Sequence, residues 1–225
     1  VLDHIGAQIA SGAHPVGSVL TLEGIAATYG VSRGVVREAV KVLESMGLVA
    51  SRRRVGVTVQ PRSGWNLFDP RLVAWRLERG DRAQQLVSLA ELRRGIEPAA
   101  AALAAERASA EQCRVLAAAV SDMVVTGRAG DLTAYLRADQ SFHRTLLEAS
   151  GNEMFASLSG LVSESLAGRT QHRMMPAHPN TAAIDLHDRA ARAVRNGDAP
   201  AAEAAMRAII DETATAVAAE FRPGS

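Results

Sequence analysis

The chain has 225 residues, 48% of them hydrophobic and 22% charged, with a formal net charge of +1, the composition of an ordinary soluble globular protein of one large or two small domains. Cys113 is the only cysteine, which excludes an intrachain disulfide framework and suits a reducing cytoplasm. No apolar run approaches membrane-spanning length and no secretory pattern opens the sequence, so no membrane association is expected.

Residues 1–12 read as an amphipathic helix with Leu2, Ile5 and Ile9 on one face, broken at His14-Pro15. Residues 21–30, TLEGIAATYG, read as a short helix with Leu22, Ile25 and Ala26 inward and Gly30 closing it. Then comes VSRGVVREAVKVLESMGLV, where Val35, Val36, Ala39, Val40, Leu43 and Met46 recur at helical spacing. Ser32 stands at the N-cap, and Gly47 at the end, where a left-handed residue is needed. The opposite face carries Ser32, Arg33, Arg37 and Lys41, a basic ridge; the alternative is that Arg37 and Lys41 are solvated partners of Glu38 and Glu44. After it, Leu48-Val49 and Val55, Val57, Val59 alternate as strands do, with Arg52, Arg53, Arg54 and Gly56 in the turn. A short helix, a tight turn, a basic helix and a two-stranded wing together make a winged helix-turn-helix. The charge agrees: through Arg62 there are seven Lys and Arg against four Asp and Glu, whereas the remainder has 18 against 20.

Residues 61–64 read as a linker, and Asp69-Pro70 as a helix opening with Asp as the cap. Beyond this only helices are predicted: about 82–108, with Pro98 kinking or splitting it; 109–125, opened by a Ser109–Gln112 capping box; 131–150; 154–172; then a Pro-rich loop, MMPAHPN; then 181–196 and 199–221. The expected fold is mostly α, an N-terminal winged helix-turn-helix followed by an all-α helical bundle. The expected domains are 1–62 for DNA binding, 63–70 as linker and 71–225 as bundle.

The bundle holds polar side chains where apolar ones belong. Asp139 and His143, four apart, fall in the stripe with Leu132, Tyr135, Leu136, Leu146 and Leu147. His187 falls in the stripe with Ile184, Ala190, Ala191 and Val194, and Arg93 in that of Leu86, Leu89, Ala90 and Ile96. Such groups are costly to bury unless paired or metal-bound. Spacing alone leaves two readings: a metal site, or an Asp139–His143 hydrogen bond with His187 a core histidine and Arg93 paired to Asp139. GxGxxG, GxxxxGK, GxSxG and HExxH motifs are all missing, so an enzyme is not expected.

The stretch SVLTLEGIAATYGVSRGVVREAVKVLESMGLV resembles the DNA-binding domain of the GntR family of bacterial regulators, through its SRxxVRExxxxLExxGLV pattern. The resemblance implies that Arg33 and Arg37 contact operator bases and phosphates and that the wing glycine region follows the minor groove. Glu23 stands where many members carry an arginine. The segments ELRRGIEPAAAALAAERAS, ADQSFHRTLLEASGN and LHDRAARAVRNGDAPAAEAAM resemble the FCD effector domain of the FadR branch, over most of residues 91–206. This implies a divalent metal on Asp139, His143 and His187, with Ile209 at the position of a fourth ligand, so three protein ligands at most. Zinc is the leading candidate, with nickel and manganese as alternatives. It also implies that Arg93 is the pocket arginine for effector binding; Arg169 and Arg173 are further cationic candidates without a motif. WNLFDPRLVAW, through Trp65, Asn66, Asp69 and Trp75, is similar to the sugar-acid regulators of this branch.

The resulting expectation is a homodimeric transcriptional regulator, a repressor, that binds double-stranded operator DNA through Ser32, Arg33, Arg37, Arg52, Arg53, Arg54 and Gly56. Its effector is expected to be a small carboxylate such as a sugar acid. The alternatives are a fatty acyl or other effector, or a metal-dependent hydrolase with a DNA-binding tether.

Overall fold

The computed structural model describes residues 1–78, 82–171 and 180–220, apart from the side chains of 216–220. Arg173 and residues 174–179 of the MMPAHPN loop lie outside the described residues. The chain forms two compact units, Val1–Arg82 and Ala83–Ser225.

The first unit opens with α1 (Leu2–Ala10), which buries Ile5 and Ile9. Next come β1 (Val19–Leu20), α2 (Leu22–Tyr29), α3 (Arg33–Ser45), β2 (Val49–Arg52) and β3 (Gly56–Val59). Thr21 caps α2 by accepting from Gly24 N at 3.0 Å, and Gly30 ends it with φ 62°. Ser32 caps α3 by accepting from Val35 N at 3.4 Å, and Gly47 follows its end with φ 74°. The buried stripe of α3 is Val36, Ala39, Val40 and Leu43, joined by Met46. Val35 is not part of it: one residue, or about 100° of helix, off Val36, it is 49% exposed.

The wing has three strands rather than two. The sheet order is β1-β3-β2, all antiparallel, with Val19 opposite Thr58 and Val49 opposite Val59. Val57 and Val59 are buried, whereas Val55 belongs to the exposed turn rather than to the strand. Gly56 has φ 120°, and a Cβ there would stand 2.8 Å from Leu20 O. The glycine is thus required by the approach of β1.

The expected linker is instead part of this unit. After a short 3-10 turn (Arg62–Gly64), α4 (Pro70–Glu78) starts at the Asp69 cap, whose carboxylate accepts from Arg71 N at 2.9 Å. Trp65, Leu72 and Trp75 are buried in the same core as Ile5, Val36, Leu43 and Val57. The unit therefore continues through Arg82 rather than ending near residue 62, because α4 lays Leu72 and Trp75 against it.

The second unit is helical throughout its described residues: α5 (Arg82–Arg107), α6 (Ala110–Ala129), α7 (Leu132–Ala149), α8 (Glu153–Ser157), α9 (Ser159–Gln171), α10 (Thr181–Arg195) and α11 (Ala199–Glu220). Pro98 neither splits nor ends α5; it is buried, flanked by the packed Ala100, Ala101, Ala104 and Ala105, so tertiary contacts outweigh the lost backbone bond. The Ser109–Gln112 capping box forms reciprocally and opens α6. The helix expected over 154–172 breaks at Leu158 into α8 and α9. Helices α5, α6, α7, α10 and α11 share one apolar core, built on Leu116, Met123, Phe142, Leu146, Val194, Met206 and Ile210. None of the described helices is long and apolar enough to cross a membrane.

Candidate functional site

Asp139 and His143 lie one turn apart on α7, and His187 comes to them from α10. All three are buried, and one ligand atom from each lies within 4.8 Å of the others. Both imidazoles present Nε2 to the same Asp139 Oδ1, each at 3.3 Å. Phe142 packs edge-on against both rings, with centroids 5.6 Å from His143 and 4.9 Å from His187, which holds the rings in place.

The far nitrogen of each ring fixes what the near one offers. His187 Nδ1 lies 2.7 Å from Ala183 O, an acceptor only, so Nδ1 carries a proton and Nε2 is turned to Asp139. His143 Nδ1 donates to the Glu97 carboxylate; burial lowers the pKa of this ring, but Glu97 and Asp139 outweigh it and raise it, so the ring keeps a proton beside Asp139 that it would give up to a bound metal. Burial works against ionisation of Glu97, but Arg93 and His143 beside it outweigh this and bring its carboxyl down to about 2. Burial likewise opposes the charge on Asp139, and the two imidazoles again prevail, holding it well below the usual carboxylate range. Asp139 Oδ1 and His187 Nε2 have no aligned hydrogen-bond partner among the described residues, despite their 3.3 Å separation. A carboxylate oxygen and two imidazole nitrogens facing one another in a dry interior call for a cation between them, and two His and one carboxylate suit zinc. The residues present therefore fit a divalent metal.

Glu97 is not singled out by spacing. Spacing allows Arg93 to pair with Asp139, and the resemblance implies that it is the pocket arginine for an effector. Arg93 is 1% exposed and commits Nε to Glu97 Oε1 at 2.5 Å, one turn along α5. Its Nη2 lies 3.4 and 3.5 Å from the two ring nitrogens of His143, and its Nη1 has no hydrogen-bond partner among the described residues. Ile209 is buried on α11 and brings no ligand atom. Arg169 on α9 donates to Thr213 Oγ1 at 3.0 Å, one turn beyond Ile209. Burial lowers its pKa, and the charges of Asp139, Arg93 and Glu212 all act on it. Burial and Asp139 push the Tyr135 phenol up. The centre is thus a buried polar cluster built from α5, α7 and α10, with Arg169 of α9 within electrostatic reach of Asp139.

In the first unit, Arg33 and Arg37 project from the exposed face of α3, and Arg52, Arg53 and Arg54 from the wing, all accessible. Arg54 turns the wing tip with φ 64°. Arg33 Nη1 lies 3.2 Å from Glu23 Oε1, and Lys41 Nζ 2.8 Å from Glu38 Oε1. The hydroxyl of Ser32 accepts from the backbone and keeps its own proton to donate.

A basic helix-turn-helix with a wing, followed in the chain by a helical domain built around a buried polar centre, defines a regulator of transcription. Residues 1–59 match the GntR family of bacterial regulatory proteins, residues 88–212 match the FCD domain, and the chain belongs to that family. It is 28% identical over 208 residues to the galactonate operon transcriptional repressor of Escherichia coli, covering 92% of this chain and 90% of that protein. It is 30% identical over 220 residues to the HTH-type transcriptional regulator Rv0494 of Mycobacterium tuberculosis, covering 97% and 88%. Among solved structures, Streptococcus agalactiae GntR superposes with a TM-score of 0.54 at 25% identity, covering 95% of this chain and 97% of that one. These relatives regulate transcription and are not enzymes, so the hydrolase alternative finds no support among them.

Proposed function

We propose that this regulator is a homodimeric repressor whose operator affinity is set by a small carboxylate, such as a sugar acid or hydroxy acid, bound beside a divalent metal in the helical domain. The observation that carries the metal is the unpaired, buried Asp139 Oδ1 and His187 Nε2, turned toward each other. Asp139, His143 and His187 would hold the ion, with zinc ahead of nickel or manganese. When bound, it supplies a Lewis-acidic centre that attracts carboxylate and hydroxyl oxygens. Ile209 adds no ligand, which leaves coordination positions for water or an effector oxygen.

The protein's own residues do the rest. Glu97 orients His143 and neutralises Arg93, so Arg93 is partly a structural cation. Its Nη1 is the donor left over for an effector carboxylate. The similarity to a galactonate operon repressor supports a sugar acid as the effector class. A fatty acyl group would need an apolar cavity, whereas this centre is lined by Arg93, Asp139, His143 and His187. A dimer supplies the two-fold symmetry that reads a palindromic operator. A regulator that acts on operator DNA would work in the cytoplasm.

The test combines elemental analysis of protein purified without chelator and operator affinity against a panel of sugar acids and hydroxy acids. Arg93→Ala would leave Glu97 buried without its cation, so Arg93→Lys is the better variant: it keeps the charge and loses the planar fork. Wild type should release its operator with one of the acids, and Arg93→Lys should need a higher concentration of it. Equal release of both proteins would remove Arg93 from the effector site; no bound metal and no stabilisation by added zinc would remove the metal.

A further inference from the structure

We infer that Glu23 is a specificity-determining residue: paired with Arg33 on the DNA-facing surface, it makes this regulator discriminate for a G·C base pair at the cost of overall DNA affinity. Glu23 Oε1 lies 3.2 Å from Arg33 Nη1, and the two side chains are 59% and 63% exposed. An ion pair this open adds little to stability, so its significance is elsewhere. Arg33 is the first residue of α3 after the Ser32 cap, and N-terminal residues of a recognition helix meet base edges. A carboxylate within contact distance of Arg33 therefore stands at the duplex as well.

The chemistry there is restrictive. Phosphate oxygens offer a carboxylate nothing but repulsion. Among base edges in the major groove, the exocyclic amine of cytosine is the characteristic donor to Glu, and guanine O6 and N7 are the characteristic acceptors from Arg. Arg33 on guanine with Glu23 on a cytosine amine keeps both charges satisfied. At a G or T edge, or with Arg33 turned to a phosphate, Glu23 loses water and gains no donor, and at adenine the N6 amine comes beside the N7 acceptor, which repels the carboxylate. A cost that falls on the wrong sites more than on the right one produces specificity rather than affinity. Lys41 is paired with Glu38 at 2.8 Å on the same helix, so the ridge carries less free positive charge than its arginines and lysine suggest.

The experiment selects binding sites from a randomised duplex library with the full-length wild type, Glu23→Ala and Glu23→Gln. Dissociation constants are then measured on the duplex that wild type selects and on a scrambled duplex of equal length, across a salt series. Wild type should fix a G·C pair at one position in each half-site, and both variants should relax that position. The scrambled duplex should bind Glu23→Ala roughly tenfold more tightly while the selected duplex changes much less, so that the ratio between them falls. The salt slope on the scrambled duplex should steepen by about one counterion, as Arg33 is released to a phosphate. Glu23→Gln keeps the size of the side chain and should reproduce the loss of ratio with an unchanged unfolding midpoint. An unchanged ratio, an equal shift on both duplexes, or a wild type that selects no sequence would each overturn the inference.

Discussion

Glu97 on α5 and His143 on α7 meet in the interior of the helical domain, where the carboxylate accepts a hydrogen bond from the Nδ1–H of the imidazole. One Glu97 oxygen holds the His143 ring and the other holds Arg93, so one side chain fixes both a candidate metal ligand and a buried cation. Glu97→Gln should therefore weaken zinc binding by about ten- to a hundredfold, the usual scale for a lost outer-shell carboxylate. It should also destabilise the fold by about 3–5 kcal/mol, because Arg93 stays buried without its counter-charge. Competition against a chromophoric chelator measures the first and denaturant unfolding of the metal-free protein the second. A stability loss with unchanged zinc affinity would limit Glu97 to the ion pair.

Ile209→His should supply the ligand that this chain lacks. Zinc affinity is expected to rise by at least about tenfold, a scale that one outer-shell contact already reaches. The response to carboxylates should weaken, since a position for an effector oxygen is filled. The same chelator competition, together with thermal shifts over the acid panel, checks both. If affinity stays the same, Ile209 does not face the centre.

On the DNA side, Arg33→Ala should cost about 1–3 kcal/mol of operator binding if the fork is bidentate. Lys41→Ala should cost less, because Glu38 already occupies its ammonium. Affinity of the wild type should fall steeply with salt. Fluorescence anisotropy at several salt concentrations reads all three; an Arg33→Ala/Arg37→Ala protein that binds normally would move the interface off α3.

Two glycines with nearly the same backbone should differ in cost. Gly30 and Gly47 have φ 62° and 74°, but an added Cβ meets nothing within 4 Å at Gly30 and comes 2.1 Å from Gly64 O at Gly47. Gly30→Ala should cost about 1–2 kcal/mol, the left-handed penalty alone. Gly47→Ala should cost roughly 2–4 kcal/mol, because backbone must move as well. Unfolding of the two variants side by side is the measurement; equal losses would contradict the close approach.

The helix-turn-helix and the Asp139, His143 and His187 cluster were legible because each breaks or keeps a helical period over many residues. Glu97 was hidden for a physical reason. It sits one turn after Arg93 just before Pro98, where a charge reads as surface, and only the three-dimensional approach of α7 shows that both ends of the pair are buried. β1 was illegible because two residues carry no alternation, and it exists by pairing with Thr58 and Val57. The break at Leu158 has no proline to announce it, and Gly160, two residues on, lies inside α9 rather than at the break. Val35 looked like core because it neighbours Val36, yet it marks the edge of the stripe on the face that carries the basic ridge.

Trp75 on α4 crosses Gly6 on α1 so closely that a Cβ at residue 6 would stand 2.2 Å from the indole. The two residues are therefore a matched pair, and any exchange of DNA-reading heads between regulators has to keep them together. A chimera joined just after the wing would set Trp75 of one parent against whatever side chain the other carries at position 6, and anything larger than hydrogen would lever α4 away. Joined after Arg82, the head would bring its own tryptophan. In gene fusion as in the engineering of biosensors, the interchangeable part of this protein is Val1–Arg82.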